Sequence, residues 1–140
     1  MLSEVTDEVV EAFGRLLPQL SRSAPPLDRA ALAAIVASPA VTVLLARTGG
    51  AITGTLTLVM FRAPTGLRAW VEDVVVDESA RGQGTGAALT QVALRQAAEA
   101  GARTVDLTSR PARVAAGRLY ERMGFGLRDS RVYRYSVGGP

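Results

Sequence analysis

The start of the chain repeats apolar positions every three or four residues, the spacing of one helical face. Within residues 6–20 these positions are Val9, Val10, Phe13, Leu16, Leu17 and Leu20. The pattern predicts a helix over residues 6–20, with Thr6 or Asp7 as its N-cap. A Pro25-Pro26 break follows, and a second short helix is predicted over residues 28–37.

The middle of the chain changes to the two-residue alternation that is typical of strands. Strands are predicted over residues 41–46, 51–61 and 67–76, with glycine-containing turns at residues 48–50 and 64–66 between them. Because the turns are short, neighbouring strands are expected to pair as antiparallel hairpins.

The last part of the chain alternates helices and strands. A helix is predicted over residues 84–100, a strand over residues 104–108, a helix over residues 112–122 and a final strand over residues 131–137. Gly124 suits the left-handed position just past a helix end. The order predicts a single α/β domain spanning residues 1–140, with a mixed, largely antiparallel sheet and helices on both faces.

The residue types that are absent from the sequence limit the reactions that the protein can catalyse. The sequence has no Cys and no His, which excludes thiolate nucleophiles, a Ser-His-Asp triad and the usual metal clusters. All 16 basic residues are Arg, which excludes a Schiff-base or P-loop lysine. Any acid–base chemistry therefore falls to Asp, Glu, Tyr or water, and no metal is expected.

The net charge of +3 would suit an anionic partner, but the Arg residues are spread from Arg15 to Arg134 and favour a solvated surface. We find no nucleic-acid motif, no apolar run near the roughly 20 residues that span a bilayer, and no signal-peptide pattern. We expect a cytoplasmic protein with no membrane partner and no specific nucleic-acid partner.

The end of the third predicted strand and the glycine-rich segment after it give the clearest indication of function. Their residues are Val74, Val75, Val76, then Arg81, Gly82, Gln83, Gly84, Thr85, Gly86 and Ala87. A strand, a loop and a helix N-terminus in this order present free backbone N–H groups, and glycines let a phosphate approach them. A tight strand-to-helix turn without a ligand is the alternative. The pattern is neither a Walker loop nor a good Rossmann fingerprint.

Two motifs together resemble the GNAT superfamily of acyl-CoA-dependent N-acyltransferases. The first runs from Arg81 to Gly86 and is similar to that family's pyrophosphate-binding motif. The second, residues 119–125 (Leu-Tyr-Glu-Arg-Met-Gly-Phe), is similar to the close of its last helix. The resemblance covers about residues 50–137. It implies a sheet in which the strands that the family numbers four and five splay apart around the acyl donor, acetyl-CoA.

The resemblance also implies residues that bind the donor. The pantetheine arm would pair with the backbone of the strand at Val74–Val76, and the pyrophosphate would bind the amides of residues 81–87, with the Thr85 hydroxyl as an additional donor. Where the family often has Asn, this sequence has Arg113. Arg113 is expected instead to reach a phosphate of CoA.

Candidate acid and base follow from the chemistry of acetyl transfer, which needs a neutral amine and a proton for the leaving thiolate. The resemblance places Tyr120 beside the thioester sulfur, whereas its helical spacing also fits a core residue. Glu72 and Asp73 are candidate bases, and strand alternation sends them to opposite faces. Glu72, acting through water, is preferred, with Asp73 or a purely structural charge as alternatives. A bulge in this strand would reverse which of them faces Val74 and Val76.

The acceptor is predicted only as a small-molecule or peptide amine. Phe61, Arg62 and Trp70 are candidates to line its pocket, although Phe61 and Trp70 also fit the core. The leading interpretation is an acetyl-CoA-dependent N-acetyltransferase that uses direct attack in a ternary complex. A catalytically silent CoA-binding sensor or regulatory domain is the alternative, and a homodimer is left open.

Overall fold

The computed structural model describes residues 1–138 of the 140-residue chain. The chain divides into two compact units, Met1–Thr108 and Ser109–Pro140.

The first unit contains the sheet and three of the helices. Its elements in chain order are α1 (Asp7–Leu20), α2 (Arg29–Ala37), β1 (Val41–Thr48), β2 (Ala51–Ala63), β3 (Gly66–Val76), a short 3-10 turn (Glu78–Ala80), α3 (Thr85–Glu99) and β4 (Thr104–Asp106). The predicted N-cap of α1 at Thr6 is confirmed, and α2 is capped by Asp28. The Thr6 hydroxyl accepts from the N–H of Val9, and the Asp28 carboxylate accepts from the N–H of Ala31.

The four strands form one sheet in the order β1-β2-β3-β4. The first three pair antiparallel, as the short turns predicted, and β4 lies parallel to β3. A parallel neighbour requires a crossover connection, which α3 provides. The mixed, largely antiparallel sheet is thereby confirmed.

Each face of the sheet has its own hydrophobic core. On one face α1 and α2 pack against the sheet, with buried residues Val9, Ala12, Phe13, Leu16, Leu32, Val43, Ile52 and Val75. On the other face α3 packs, with buried residues Leu44, Leu56, Leu58, Ala69, Val71, Leu89, Ala93 and Ala97. Neighbouring residues such as Val43 and Leu44 therefore point to opposite faces. The prediction of helices on both faces is confirmed.

Two irregularities shift the sheet register. The pairing of β1 with β2 shifts between Ala46 and Arg47, where Thr53 is the extra residue of β2. The pairing of β2 with β3 shifts between Thr55 and Thr57, where β3 has one residue more than β2. Asp73 lies in this second bulge with a φ of 50°, a left-handed conformation that is rare outside glycine. Beyond each bulge, every residue of the bulged strand lies on the face opposite to the one that regular alternation would give it.

The second unit contains α4 (Val114–Arg122), whose C-terminus has a Schellman motif. Gly124 has a φ of 101°, and its N–H donates to the C=O of Glu121 at 3.1 Å. The N–H of Phe125 donates to the C=O of Tyr120 at 3.0 Å. This pair of bonds satisfies carbonyls that the helix end would otherwise leave free.

Most predicted elements agree with the structure to within a few residues. The predicted strand over residues 104–108 ends at Asp106, and the predicted helix over residues 112–122 begins at Val114. The predicted strand over residues 131–137 is wrong, because this segment has no strand assignment. Alternation alone does not make a strand, since a strand also needs a backbone partner. Tyr133, Tyr135 and Val137 are about nine-tenths exposed, at 87%, 89% and 92%.

Candidate active site

The glycine-rich segment forms a loop that leads into α3 with unpaired backbone donors. Gly84 is the N-cap of α3, has a φ of 80° and offers no side-chain cap. The N–H groups of Thr85, Gly86 and Ala87 donate to no acceptor within residues 1–138. With the positive end of the helix dipole, these groups make a site suited to an anion.

Open space surrounds the loop. A Cβ built on Gly82 or on Gly84 would meet no atom within 4 Å, and both residues have a φ of 80°. The residues from Arg81 to Gly84 are exposed. Glycine is required here by the left-handed backbone, and the space beside it is free for a ligand to reach the amides.

Arg81 links the end of β3 to the loop. Its Nε donates to the C=O of Val76 at 3.3 Å, and its own N–H donates to the C=O of Glu78 at 3.4 Å. The guanidinium is therefore held between the strand and the loop. It supplies the positive charge that the sequence predicted there.

Gly54 in β2 fixes the C-terminal end of the loop, where α3 begins. A Cβ on this residue would lie 3.2 Å from Cγ2 of Thr85, 3.3 Å from Cδ1 of Leu89 and 3.4 Å from the C=O of Val75. Only the missing side chain allows the first turns of α3 to pack this closely onto the sheet. Our sequence analysis missed Gly54, although a glycine inside a strand is a known signal of close backbone approach.

Helix α1 fixes the other end of the loop, which our sequence analysis also missed. The Arg15 guanidinium forms an ion pair with Asp77 and donates to the C=O of Ile52 at 3.0 Å. The Gln19 amide oxygen accepts from the N–H of Glu78 at 3.1 Å. Arg15 and Gln19 are one helical turn apart, and this polar pair in the otherwise apolar second half of α1 was the available signal.

Asp77 is held as a carboxylate by its neighbours. The N–H of Ser79 donates to it at 3.2 Å and is the largest influence that lowers its pKa; hydrogen bonding and charge from Arg15, and then Gln19, lower the pKa further. Partial burial of the group opposes these effects and raises the pKa. The net direction is below the ordinary value, so Asp77 remains ionised at neutral pH.

The edge of β3 that faces β4 is paired over only part of its length. The parallel pairing joins Arg68, Ala69 and Trp70 to Thr104, Val105 and Asp106 and then stops. Residues 71–76 of β3 continue without a strand on that side among the described residues. The pairing stops because β4 ends at Asp106, and a free edge of β3 leads directly to the loop.

Glu72 and Asp73 are both exposed, and the bulge separates Glu72 from its expected neighbours. Glu72 pairs with Thr57 and Val75 pairs with Thr55, so both lie on the face of α1 and α2. Val74 packs with the α3 core on the other face. A regular strand would have placed Glu72 on the face of Val74 and Val76; the strand instead has the bulge that the sequence left open, and Glu72 lies on the opposite face.

The candidate acceptor residues lie near the turn between β2 and β3. Phe61 pairs with Arg68, and Trp70 pairs with Val59. By strand alternation Phe61, Trp70 and Glu72 share one face of the sheet, and Arg62 lies on the other. Phe61 is 43% exposed, which is consistent with a surface role.

Tyr120 lies in the second unit and is half-buried. Burial is the main influence on its phenol and raises the pKa, while the positive charge of Arg113 partly opposes this. Tyr120 therefore carries its proton at neutral pH. Arg113 is exposed and is the N-cap of α4, without a side-chain capping bond.

None of the helices within residues 1–138 combines the length and the apolar character needed to cross a membrane. No group of three or more acidic side chains in this part of the chain is arranged to hold a metal ion.

Solved structures with the same fold span nearly the whole chain. A protein from Agrobacterium tumefaciens str. C58 described as an acetyltransferase has a TM-score of 0.83 and 26% identity, covering 95% of this chain and 98% of its own. A transcriptional regulator from Bacillus halodurans C-125 has a TM-score of 0.78 and 27% identity, with 95% and 97% covered. An acetyltransferase from Trypanosoma brucei has a TM-score of 0.76 and 25% identity, with 96% and 97% covered.

No curated protein matches the chain in sequence. The model of the acetyltransferase (GNAT) family matches residues 5–125, a range that includes every helix and strand named above. With the free edge of β3, the glycine loop and this match in agreement, the chain belongs to the GNAT acetyltransferase family.

Proposed function

We propose that the protein transfers an acetyl group from acetyl-CoA to a primary amine by direct attack in a ternary complex. One observation carries the proposal. The free edge of β3 leads into a loop whose unpaired N–H groups begin α3. A long donor with an amide-containing arm and a pyrophosphate needs this combination of a strand edge and an anion site.

The donor would bind along these groups in order. The backbone of Val74, Val75 and Val76 would pair with the pantetheine amides, and the N–H groups of residues 82–87 would bind the pyrophosphate. Arg81 would neutralise part of its charge, and Arg113 would reach a phosphate of CoA. Exposure of the loop and the open space at Gly82 and Gly84 support this role.

The chemistry would use two proton-carrying side chains. The amine nitrogen attacks the thioester carbonyl, and its proton passes through water to Glu72. The C–S bond then breaks, and the thiolate takes a proton from the Tyr120 hydroxyl. Exposure of Glu72 to solvent supports transfer through water, and the raised pKa of Tyr120 keeps its proton available. Asp73 is the second candidate for the base.

The acceptor would be a small-molecule or peptide amine. Phe61, Trp70 and Glu72 share a face of the sheet, which supports a pocket on the side of α1 and α2.

A catalytically silent CoA-binding regulator is the second candidate. Its support is the similarity to a structure described as a transcriptional regulator at 27% identity. Such a protein would bind acetyl-CoA through the same loop and release no thiol. Turnover separates the two candidates.

The test combines donor binding with turnover. Calorimetry should show acetyl-CoA binding, and a panel of primary amines should give thiol release with at least one acceptor; the protein has no Cys to react with the thiol reagent. Gly86→Val should weaken donor binding by blocking the amides. Gly14→Val is the matched control, because Gly14 is also a helical glycine with free space around it. Binding without thiol release would favour the regulator, and absence of binding would refute both.

A further inference from the structure

The strand end between β3 and the glycine loop is held by side chains of α1, which come from a distant part of the sequence. Arg15 and Asp77 are 62 residues apart, and Gln19 and Glu78 are 59 apart. These contacts lie beside the loop without forming part of it.

The contacts of Arg15 bridge two elements that must stay together. One arm of the guanidinium binds Asp77, at the end of β3, and the other donates to the C=O of Ile52 in β2. The N–H of Asp77 in turn donates to the C=O of Thr53 at 2.7 Å. The side chain of Asp77 is only 15% exposed, so the ion pair is partly shielded from water.

Asp77 connects its ion pair with Arg15 to the segment before the loop through two hydrogen bonds. Its second carboxylate oxygen accepts from the N–H of Ser79, and its C=O accepts from the N–H of Ala80 at 2.9 Å. Ala80 is 1% exposed. The 3-10 turn directly before Arg81 is thus shaped by a carboxylate that Arg15 orients.

Gln19 adds a second restraint on the same turn. Its amide oxygen accepts from the N–H of Glu78, while its amide nitrogen donates to the C=O of Arg15 at 3.2 Å. The N–H of Glu78 lies at the start of the 3-10 turn, where no helical acceptor is available. Arg15 and Gln19 therefore act on adjacent residues.

We infer that Arg15 and Gln19 are positioning residues for donor binding: by holding Asp77 and Glu78 they fix where the glycine loop begins and so aim its N–H groups at the pyrophosphate. The inference rests on the proposed function. At its far end the loop is fixed by the packing of Thr85 on Gly54. Between these two supports, residues 81–84 are exposed, so their geometry depends on the supports.

The test compares two acetyl donors with Arg15→Gln. Acetyl-CoA has the pyrophosphate, and S-acetylpantetheine lacks it while keeping the same reacting thioester. We expect Arg15→Gln to raise the KM for acetyl-CoA about tenfold, the effect of losing a charged hydrogen bond, with kcat unchanged. The KM for S-acetylpantetheine should stay the same. Arg15→Lys, which keeps the charge, should recover part of the loss.

Arg29→Gln is the matched control. Arg29 pairs with the carboxylate of Asp7 and donates to one backbone C=O, that of Val5 at 2.6 Å, but it contacts neither the 3-10 turn nor the loop. Arg15 has one ion pair more, with Glu11 of its own helix at 3.5 Å. This variant should bind both donors like the wild type. If Arg15→Gln does not fold, Gln19→Met removes the acceptor of the Glu78 N–H together with the donor to the Arg15 C=O, and should show the same selectivity for acetyl-CoA.

Two results would overturn the inference. Equal loss of both donors would show a general structural role, and no loss of either would show no role. Wild-type protein that fails to bind acetyl-CoA would instead refute the proposed function, and the inference with it. A wild type that binds acetyl-CoA, together with an Arg15→Gln variant that binds it equally well, would refute the inference alone.

Discussion

The rings of Tyr120 and Phe125 meet edge to face, with centroids 5.6 Å apart and planes inclined by 67°. The contact joins the last turn of α4 to the residue after Gly124, which is the hydrophobic contact that accompanies a Schellman motif. The end of α4 thus explains the residue motif at 119–125. It ends the helix at a fixed place and holds the Tyr120 ring in a fixed position.

Removing only the Tyr120 hydroxyl tests its role as the acid. Tyr120→Phe keeps the ring contact with Phe125, so the free energy of unfolding should change little. The kcat should fall by about 10²–10⁴-fold, the usual contribution of general acid catalysis. Single-turnover thiol release measures the chemical step. Tyr133→Phe, at an exposed site, is the control, and an unchanged chemical rate in Tyr120→Phe would exclude the hydroxyl as proton donor.

Arg113 should tune the same phenol. Its positive charge lowers the pKa that burial has raised, so Arg113→Gln should raise the pKa of Tyr120 further. The alkaline limb of the rate profile should then move to higher pH. Ultraviolet titration of the phenolate, with Tyr120→Phe subtracted, measures the shift directly. Arg118→Gln, on the same helix, should leave the limb in place; a matching shift there would mean that the effect is not specific to Arg113.

The raised pKa of Tyr120 also makes the free energy of unfolding depend on pH. A group whose pKa is higher in the folded state stabilises it while protonated, and this contribution is lost as the pH rises through the folded value. The loss therefore belongs to the alkaline range above the ordinary phenol value. Comparing the pH dependence of denaturant unfolding in wild type and Tyr120→Phe would show it.

The roles of Glu72 and Asp73 can be separated by pH profiles. If Glu72 takes the amine proton through water, Glu72→Gln should slow the reaction at neutral pH and recover part of the rate at high pH, where free amine is present. Asp73→Asn, with Asp73 in the bulge, should then have a smaller effect. Superimposable profiles of wild type and Glu72→Gln would remove Glu72 as the base, and a pH-dependent loss in Asp73→Asn would transfer the role to Asp73.

Gly54→Ala tests the packing that supports the loop. The added Cβ would lie 3.2 Å from Thr85 and 3.3 Å from Leu89, so α3 must move by a few tenths of an ångström. We expect a loss of about 1–3 kcal/mol in the free energy of unfolding, typical of overpacking, and weaker acetyl-CoA binding. Gly14→Ala, in open space, should show neither effect. Unchanged donor affinity in a folded Gly54→Ala variant would mean that the loop tolerates the shift.

The sequence predicted the elements that depend on local pattern. The 3.6-residue spacing of α1, the alternation of β2 and the αL position of Gly124 are all properties of short segments. The glycine loop was predictable for the same reason. Its glycines, the preceding strand and the following helix lie within a few residues of one another.

The features that were missed depend on distant residues. The ion pair of Arg15 with Asp77 joins residues 62 apart, and nothing in either segment specifies the other. The bulge at Asp73 arises because β3 and β2 differ by one residue between paired positions, which requires the register of both strands. The alternation in residues 131–137 predicted a strand, but whether a partner exists is a property of the whole fold.

The free edge of β3 has a consequence for how the protein behaves in solution. An exposed strand edge is a template on which another chain can add a strand, and proteins commonly protect such edges with charges and bulges. Glu72 and Asp73 supply two exposed carboxylates on this strand, and Asp73 supplies the bulge. We therefore expect the two candidate bases to disfavour strand addition by neighbouring molecules as well. Neutral substitutions there remove part of that protection and lower the concentration at which the protein stays monodisperse.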